Sequence, residues 1–222
     1  MKLFLALLLT LSVIATPAVL AKTQELPQVT EDGLHLVPDS NMAIVYAEPG
    51  ADLAQYKRVK LLDAHVAFKK NWARDQRRNS AMPLNVTSND VERIKKSLSQ
   101  EFHEVFKETL ENGGYEVVDE SGEDVLLIRP AIINLDISAP DTPRGGRSRT
   151  YTSSAGEMTL YIELYDSITG DLIAKALDRR VDNPNRSGFY TWTNSVTNKS
   201  AGRRILKGWS GILLDALNEA KQ

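Results

Sequence analysis

Two stretches of this chain repeat apolar residues every three or four positions, and they bracket a region that alternates instead. The first runs from residue 87 to the Gly113-Gly114 pair and carries Val91, Ile94, Leu98, Phe102, Val105, Phe106 and Leu110. The second covers about 196–220 and carries Ile205, Leu206, Trp209, Ile212, Leu213, Ala216 and Leu217. Such spacing draws one apolar stripe down a helix, and the stripe needs an apolar partner. Thr87 and Ser88 suit N-caps, Asp90 and Glu92 put negative charge in the first turn, and the glycine pair ends the helix. Between the helices, 157–165 alternates with Met158, Leu160, Ile162 and Leu164 on one side. The turn Asp166-Ser-Ile-Thr-Gly170 then returns the chain through 172–181 as a hairpin.

Further strands are expected at 42–47, 58–68, 115–118 and 125–137. The alternation in 58–68 leaves both faces partly apolar, as in a strand covered on both sides. Pro130 lacks an N–H and predicts a bulge or an edge within 125–137. Stretches 69–86, 138–155 and 182–195 read as loops, the first of them basic. The fold class this predicts is α+β, a two-layer α/β sandwich: a mostly antiparallel or mixed sheet with two long amphipathic helices packed on it. It occupies 42–222 as a single domain, after a loosely ordered N-terminal segment at 22–41.

Residues 1–21 read as a signal peptide, with Lys2, an apolar run from Leu3 to Ile14, Pro17, and cleavage between Ala21 and Lys22. The apolar run is shorter than the roughly 20 residues a membrane span needs, and no later segment approaches that length. The mature chain is therefore expected to be periplasmic or secreted in a bacterium, soluble or peripheral. With no Cys among 222 residues, disulfides, thiolate metal sites and Cys nucleophiles are excluded. A net charge of −2 argues against a nucleic-acid binder. His35, His65 and His103 are too scattered to assemble a metal site, and no cofactor is implied.

Three segments resemble a family of bacterial envelope proteins known as domain of unknown function 3313. They are Tyr56-Lys57-Arg58-Val59 with Trp72 beyond it, Val117 to Leu126 through Asp119-Glu120-Ser121-Gly122-Glu123-Asp124, and Glu163 to Ala174 running on to Asp178-Arg179-Arg180. The resemblance covers most of 42–217. It implies an exported protein without established catalytic residues. Its members are often lipidated, but Lys22 stands where the lipid-bearing Cys would be, so this chain is expected to be non-lipidated.

The remaining motifs are weak. Gly208-Trp209-Ser210-Gly211 lacks the fifth glycine of a nucleophile elbow and sits in a helical pattern, where small residues allow close packing. Asp119, Glu120, Glu123 and Asp124 cluster at a turn and read as solvated. Two basic groups are candidates for anion or surface binding: Lys69, Lys70, Trp72, Arg74, Arg77 and Arg78, and the loop residues Arg144, Arg147 and Arg149. Arginine forks bind phosphate and carboxylate, and an exposed Trp would add a stacking face. The expected function is a non-catalytic binding or interaction module of the cell envelope. Its partner would be an envelope protein, peptidoglycan or an anionic membrane surface. The alternative is an envelope hydrolase using Asp/Glu acid–base pairs on glycans or phosphoesters.

Overall fold

A computed structural model describes residues 25–78, 86–138, 150–152, 156–182, 191–193 and 195–221. The expected signal peptide, with its cleavage site at Ala21 and Lys22, and the loop residues Arg144, Arg147 and Arg149 lie outside the described residues. The chain order is β1 (His35–Leu36), β2 (Ile44–Ala47), β3 (Arg58–Leu61), β4 (His65–Phe68), α1 (Trp72–Arg78), α2 (Ser88–Asn112), β5 (Glu116–Val117), β6 (Val125–Ile137), β7 (Thr150–Thr152), β8 (Gly156–Asp166), β9 (Leu172–Asp182), β10 (Thr191–Thr193) and α3 (Ser195–Glu219). The main sheet runs β1-β2-β9-β8-β6-β3-β5, with β4 also on β6. It is mixed. Strand β6 is parallel to β3 and β4, from which α1 and α2 separate it in sequence, whereas β8 and β9 form the antiparallel hairpin. This is an α+β fold.

Both long helices form where the apolar stripes predict them. Thr87 caps α2 through a capping box: its hydroxyl accepts from the Asp90 N–H, and the Asp90 carboxylate accepts from the Thr87 N–H. At the other end Tyr115 N–H donates to Leu110 O and Gly114 N–H to Glu111 O, a Schellman closure. The left-handed residue is Gly114, at φ +88°, while Gly113 stays helical. Gly113 is small for another reason: a Cβ there would overlap Leu214 of α3. On α3, Ile205, Leu206, Trp209, Leu213 and Leu217 are buried, whereas Ala216 is exposed. The helix stripes share one core with Val59, Leu61, Leu126, Ile128, Ile132, Leu160 and Ile162.

The 58–68 stretch is two strands, not one, and Pro130 supplies the reason. Leu62 N–H donates to Ile128 O. A continuing parallel ladder would return the next bond from residue 130 to the Leu62 carbonyl, and proline has no proton to give. Pairing lapses across Asp63-Ala64 and resumes at His65 opposite Ala131. The lapse also shifts the alternation, so Val59, Leu61, Ala64 and Val66 all reach the core. Pro130 itself pairs in register with Ile162, and the irregularity of β6 falls between Ile133 and Asp136. The strand is central rather than an edge.

Three stretches expected as loops carry structure. Trp72–Arg78 is helical, and β7 pairs antiparallel with β10. The lead-in expected to be loosely held is tied to the sheet edge: Leu36 N–H donates to Gln28 O, Leu34 is buried, and β1 pairs with β2. The packing makes a signed prediction. Gly113→Ala should destabilise the protein by about 1–3 kcal/mol through overpacking. Gly211→Ala meets open space on the same helix layer and should stabilise by about 0.5–1 kcal/mol. Urea unfolding of the two variants checks the opposite signs.

Candidate functional site

Hydrogen bonds tie three segments into a knot of contacts at one end of the sheet, and a cavity opens there. The knot joins the β8–β9 turn to the β5–β6 turn and to the entry of β3. Asp166 Oδ1 accepts from the N–H groups of Ile168 and Thr169, and Gly170 closes the turn at φ +75°. Ser167 Oγ accepts from Gly122 N–H and donates to Gly122 O, both at 3.0 Å. Asp124 takes a forked bond from Arg58 Nε and Nη2, while its carbonyl accepts from the N–H groups of Lys57 and Arg58. Tyr56 is buried, and its hydroxyl donates to Asp166 Oδ2 at 2.9 Å. Burial and the adjacent Asp166 carboxylate push the Tyr56 phenol up to about 12. The backbone N–H of Thr169, with Ile168 and Tyr56 behind it, holds Asp166 below the usual carboxylate range. The Arg58 fork does the same for Asp124.

This corrects the expectation of four solvated carboxylates at the 119–124 turn. Asp119, Glu120 and Glu123 are exposed, but Asp124 fastens β3. Gly122 leaves room for the arginine, since a Cβ would stand 2.8 Å from Arg58 Nη2.

Beside the knot opens a cavity of about 310 Å3, lined by Glu48, Pro49, Gly50, Ala51, Asp52, Gln55, Tyr56, Asp166, Thr169, Asp171 and Ile173. Four carboxylates and no Lys or Arg line it. Sequence reasoning missed this concentration, because Glu48 and Asp52 lie far from Asp166 and Asp171 along the chain. The only signal was that each pair flanks a turn.

The basic group lies at the opposite end of β6. Lys69, Lys70, Arg74, Arg77 and Arg78 are exposed on α1 and the turn before it. Lys69 pairs with Asp136 at 3.0 Å, Arg74 with Asp75 at 3.6 Å, and Arg77 donates to Val86 O. Trp72 is not the exposed stacking face expected of it. It is 3% exposed, stacks on Phe68 with ring centroids 4.1 Å apart, and donates from Nε1 to Ile137 O. Its role is to pin α1 against the end of the sheet.

Two further clusters are structural. On β9, Asp178 accepts from Trp209 Nε1 at 2.7 Å, from Arg180 Nε and from Ala43 N–H. Gly208 makes space for the Arg180 guanidinium, which a Cβ would overlap. Ser210 is fully buried and shares a bond with Thr109 of α2. The Gly-Trp-Ser-Gly segment is thus a helix-packing element. On the sheet face away from the helices, Glu163 is buried and accepts from Tyr161 and Arg129, both at 2.6 Å. Those donors hold Glu163 below the usual range although burial opposes it. His103 Nδ1 lies 3.7 Å from Asp63, and His65 is exposed on β4. Among the described residues, no three His, Asp or Glu side chains converge as a metal site.

The lowered carboxylates fix the sign of the acid response. A group with a depressed folded pKa contributes stability above its unfolded pKa and loses it as pH falls through the folded value. Asp124, Asp166 and Glu163 should therefore weaken the fold as pH drops below about 4. Tyr56→Phe should cost about 1 kcal/mol at neutral pH through the lost hydrogen bond. It should also shrink the acid-dependent part, because Asp166 loses one donor. Urea midpoints across pH for both proteins check this.

The family comparison agrees with the resemblance. The model of the family described as protein of unknown function DUF3313 matches residues 32–210. No curated protein matches the chain. Similar solved structures include a PelC dodecamer from Paraburkholderia phytofirmans, 14% identical over 73% of this chain and 94% of that one, with a TM-score of 0.35. A DUF4136 family protein from Bacteroides thetaiotaomicron is 13% identical over 77% and 94%, with a TM-score of 0.35. A putative neuraminyllactose-binding hemagglutinin homolog from Helicobacter pylori is 11% identical over 75% and 86%, with a TM-score of 0.39. Likeness at this level assigns no activity. The family match spans both the knot and the basic helix, and the chain belongs to the DUF3313 family.

Proposed function

We propose that this chain is an exported, non-lipidated interaction module of the bacterial cell envelope, one that docks rather than turns over a substrate. The observation that supports this reading is the sorting of charge to the two ends of one rigid sheet. The cations of α1 stand on a short helix that buried Trp72 holds in place. Arginine forks there suit phosphate and carboxylate groups, which anionic lipids and peptidoglycan both present. In this reading the two long helices form one layer over the core face of the sheet, and the charged ends project from a frame that does not need to move.

Two carboxylates at this end are already committed, which weighs against the hydrolase alternative at those positions, while Glu48, Asp52 and Asp171 stand exposed at the cavity. Acid–base work needs a carboxyl free to exchange a proton beside a second one. Asp166 in the cavity spends both oxygens on the turn and on Tyr56, and Asp124 spends its own on Arg58.

Two measurements test the proposal. Expressed with its leader in a Gram-negative host, the chain should reach the periplasmic fraction with Lys22 as its first residue. Full-length mass in the membrane fraction would remove the export claim. The purified protein should pellet with peptidoglycan or with anionic vesicles, tested separately, and raised salt should release it, since exposed charges are screened beyond about 8 Å at physiological ionic strength. A variant with Lys69, Lys70, Arg74, Arg77 and Arg78 changed to Gln should stay in solution. Equal pelleting of the variant, or none by either protein, contradicts docking through α1.

A further inference from the structure

The two charged ends are complementary to each other as well as to outside partners. The cavity beside the knot is concave, carries Glu48, Asp52, Asp166 and Asp171, and has no basic lining residue. Its floor is apolar, with Ile173 and Tyr56 buried. Glu48, Asp52 and Asp171 are exposed at its rim. The α1 end presents exposed Lys70, Arg74 and Arg78. The cavity sits where β6 begins, since Asp166 pairs with Leu126, and α1 sits where it ends, through the Trp72 bond to Ile137 O. That interval of β6 spans roughly 35 Å at the rise of an extended strand. It is several Debye lengths, so the two ends of one molecule do not neutralise each other. A second molecule can bring them together.

We infer that copies of this chain associate head to tail, the α1 end of one seated in the acid-lined cavity of the next. The match of sign between a concave acidic site and a convex basic helix selects a second copy as occupant. A helix pinned by Trp72 loses little freedom on docking, which favours it over a flexible basic segment. The contact is heterologous, so it leaves one free end of each kind. It closes into a ring where the rotation between copies allows and otherwise extends as a filament. The inference rests on the docking reading only in using the same charged ends.

Sedimentation velocity of the purified full-length export product tests it. Wild type should associate at low ionic strength, with the apparent association constant falling by about tenfold or more as salt is raised above physiological. Glu48→Lys with Asp171→Lys cancels the negative charge of the cavity, and Lys70→Glu with Arg78→Glu removes most of the positive excess of the α1 end. Each variant alone should be monomeric. An equimolar mixture of the two should associate again, because each retains the end the other lost. Circular dichroism of both should overlay on wild type. The milder pairs Glu48→Gln/Asp171→Asn and Lys70→Gln/Arg78→Gln should weaken association in the same direction. A monomeric wild type at low salt, association that either reversal leaves intact, or a mixture that stays monomeric overturns the inference. Wild type that is monomeric yet pellets with vesicles or peptidoglycan overturns it while leaving the docking proposal standing.

Discussion

Ser167 reaches from the β8–β9 turn to bond both the N–H and the carbonyl of Gly122, and with that contact the hairpin end of the sheet is closed. The rest of the structure depends on it. Through Asp124 the β5–β6 turn grips Arg58 and starts β3 beside β6. Through Asp166 the β8–β9 turn reaches Tyr56 and sets one wall of the acid-lined cavity. Most of the residues that carry the family resemblance, Tyr56 to Val59, Val117 to Leu126 and the Glu163 to Ala174 stretch, meet here, while Trp72 and Asp178 to Arg180 lie elsewhere. Those that meet are adjacent in space because they build the frame, and no reaction is needed to account for them.

The sheet is also organised by an omission. Pro130 withholds one hydrogen bond from the middle of the central strand, and the neighbouring strand breaks opposite it. The break lets Ala64 offer its carbonyl to Ser99 of α2. A single missing proton therefore divides a strand and admits a helix contact. Elsewhere the helices hold each other through small residues and half-buried polar pairs: Gly113 under Leu214, Thr109 with Ser210, and Glu101 of α2 with Arg203 of α3.

Periodicity and turn chemistry made much of this fold legible in the sequence. The two long helices, the caps of α2, the hairpin and its Asp-Gly turn all follow from local spacing, because local backbone preferences and one buried face determine them. What stayed hidden depends on partners remote in sequence. Trp72 looked like an exposed aromatic in a basic run, and only Phe68 and the end of β6 show it to be buried. Asp124 looked like one of four solvated acids until Arg58 arrived from another strand. The cavity joins two turns more than a hundred residues apart, and no window along the chain brings Glu48 near Asp171. The basic group was legible as charge but not as a helix, since seven residues are too few to show a period.

The segments around Arg58, Gly122 and Asp166 form one architectural unit. Hydrogen–deuterium exchange on an Asp124→Asn variant tests it most directly. The account predicts faster exchange in all three segments together: around Arg58, around Gly122 and at the Asp166–Gly170 turn, with the α2–α3 pair unchanged. Faster exchange at Arg58 alone, with the turn as protected as in wild type, would contradict it and return those residues to the search for a binding site.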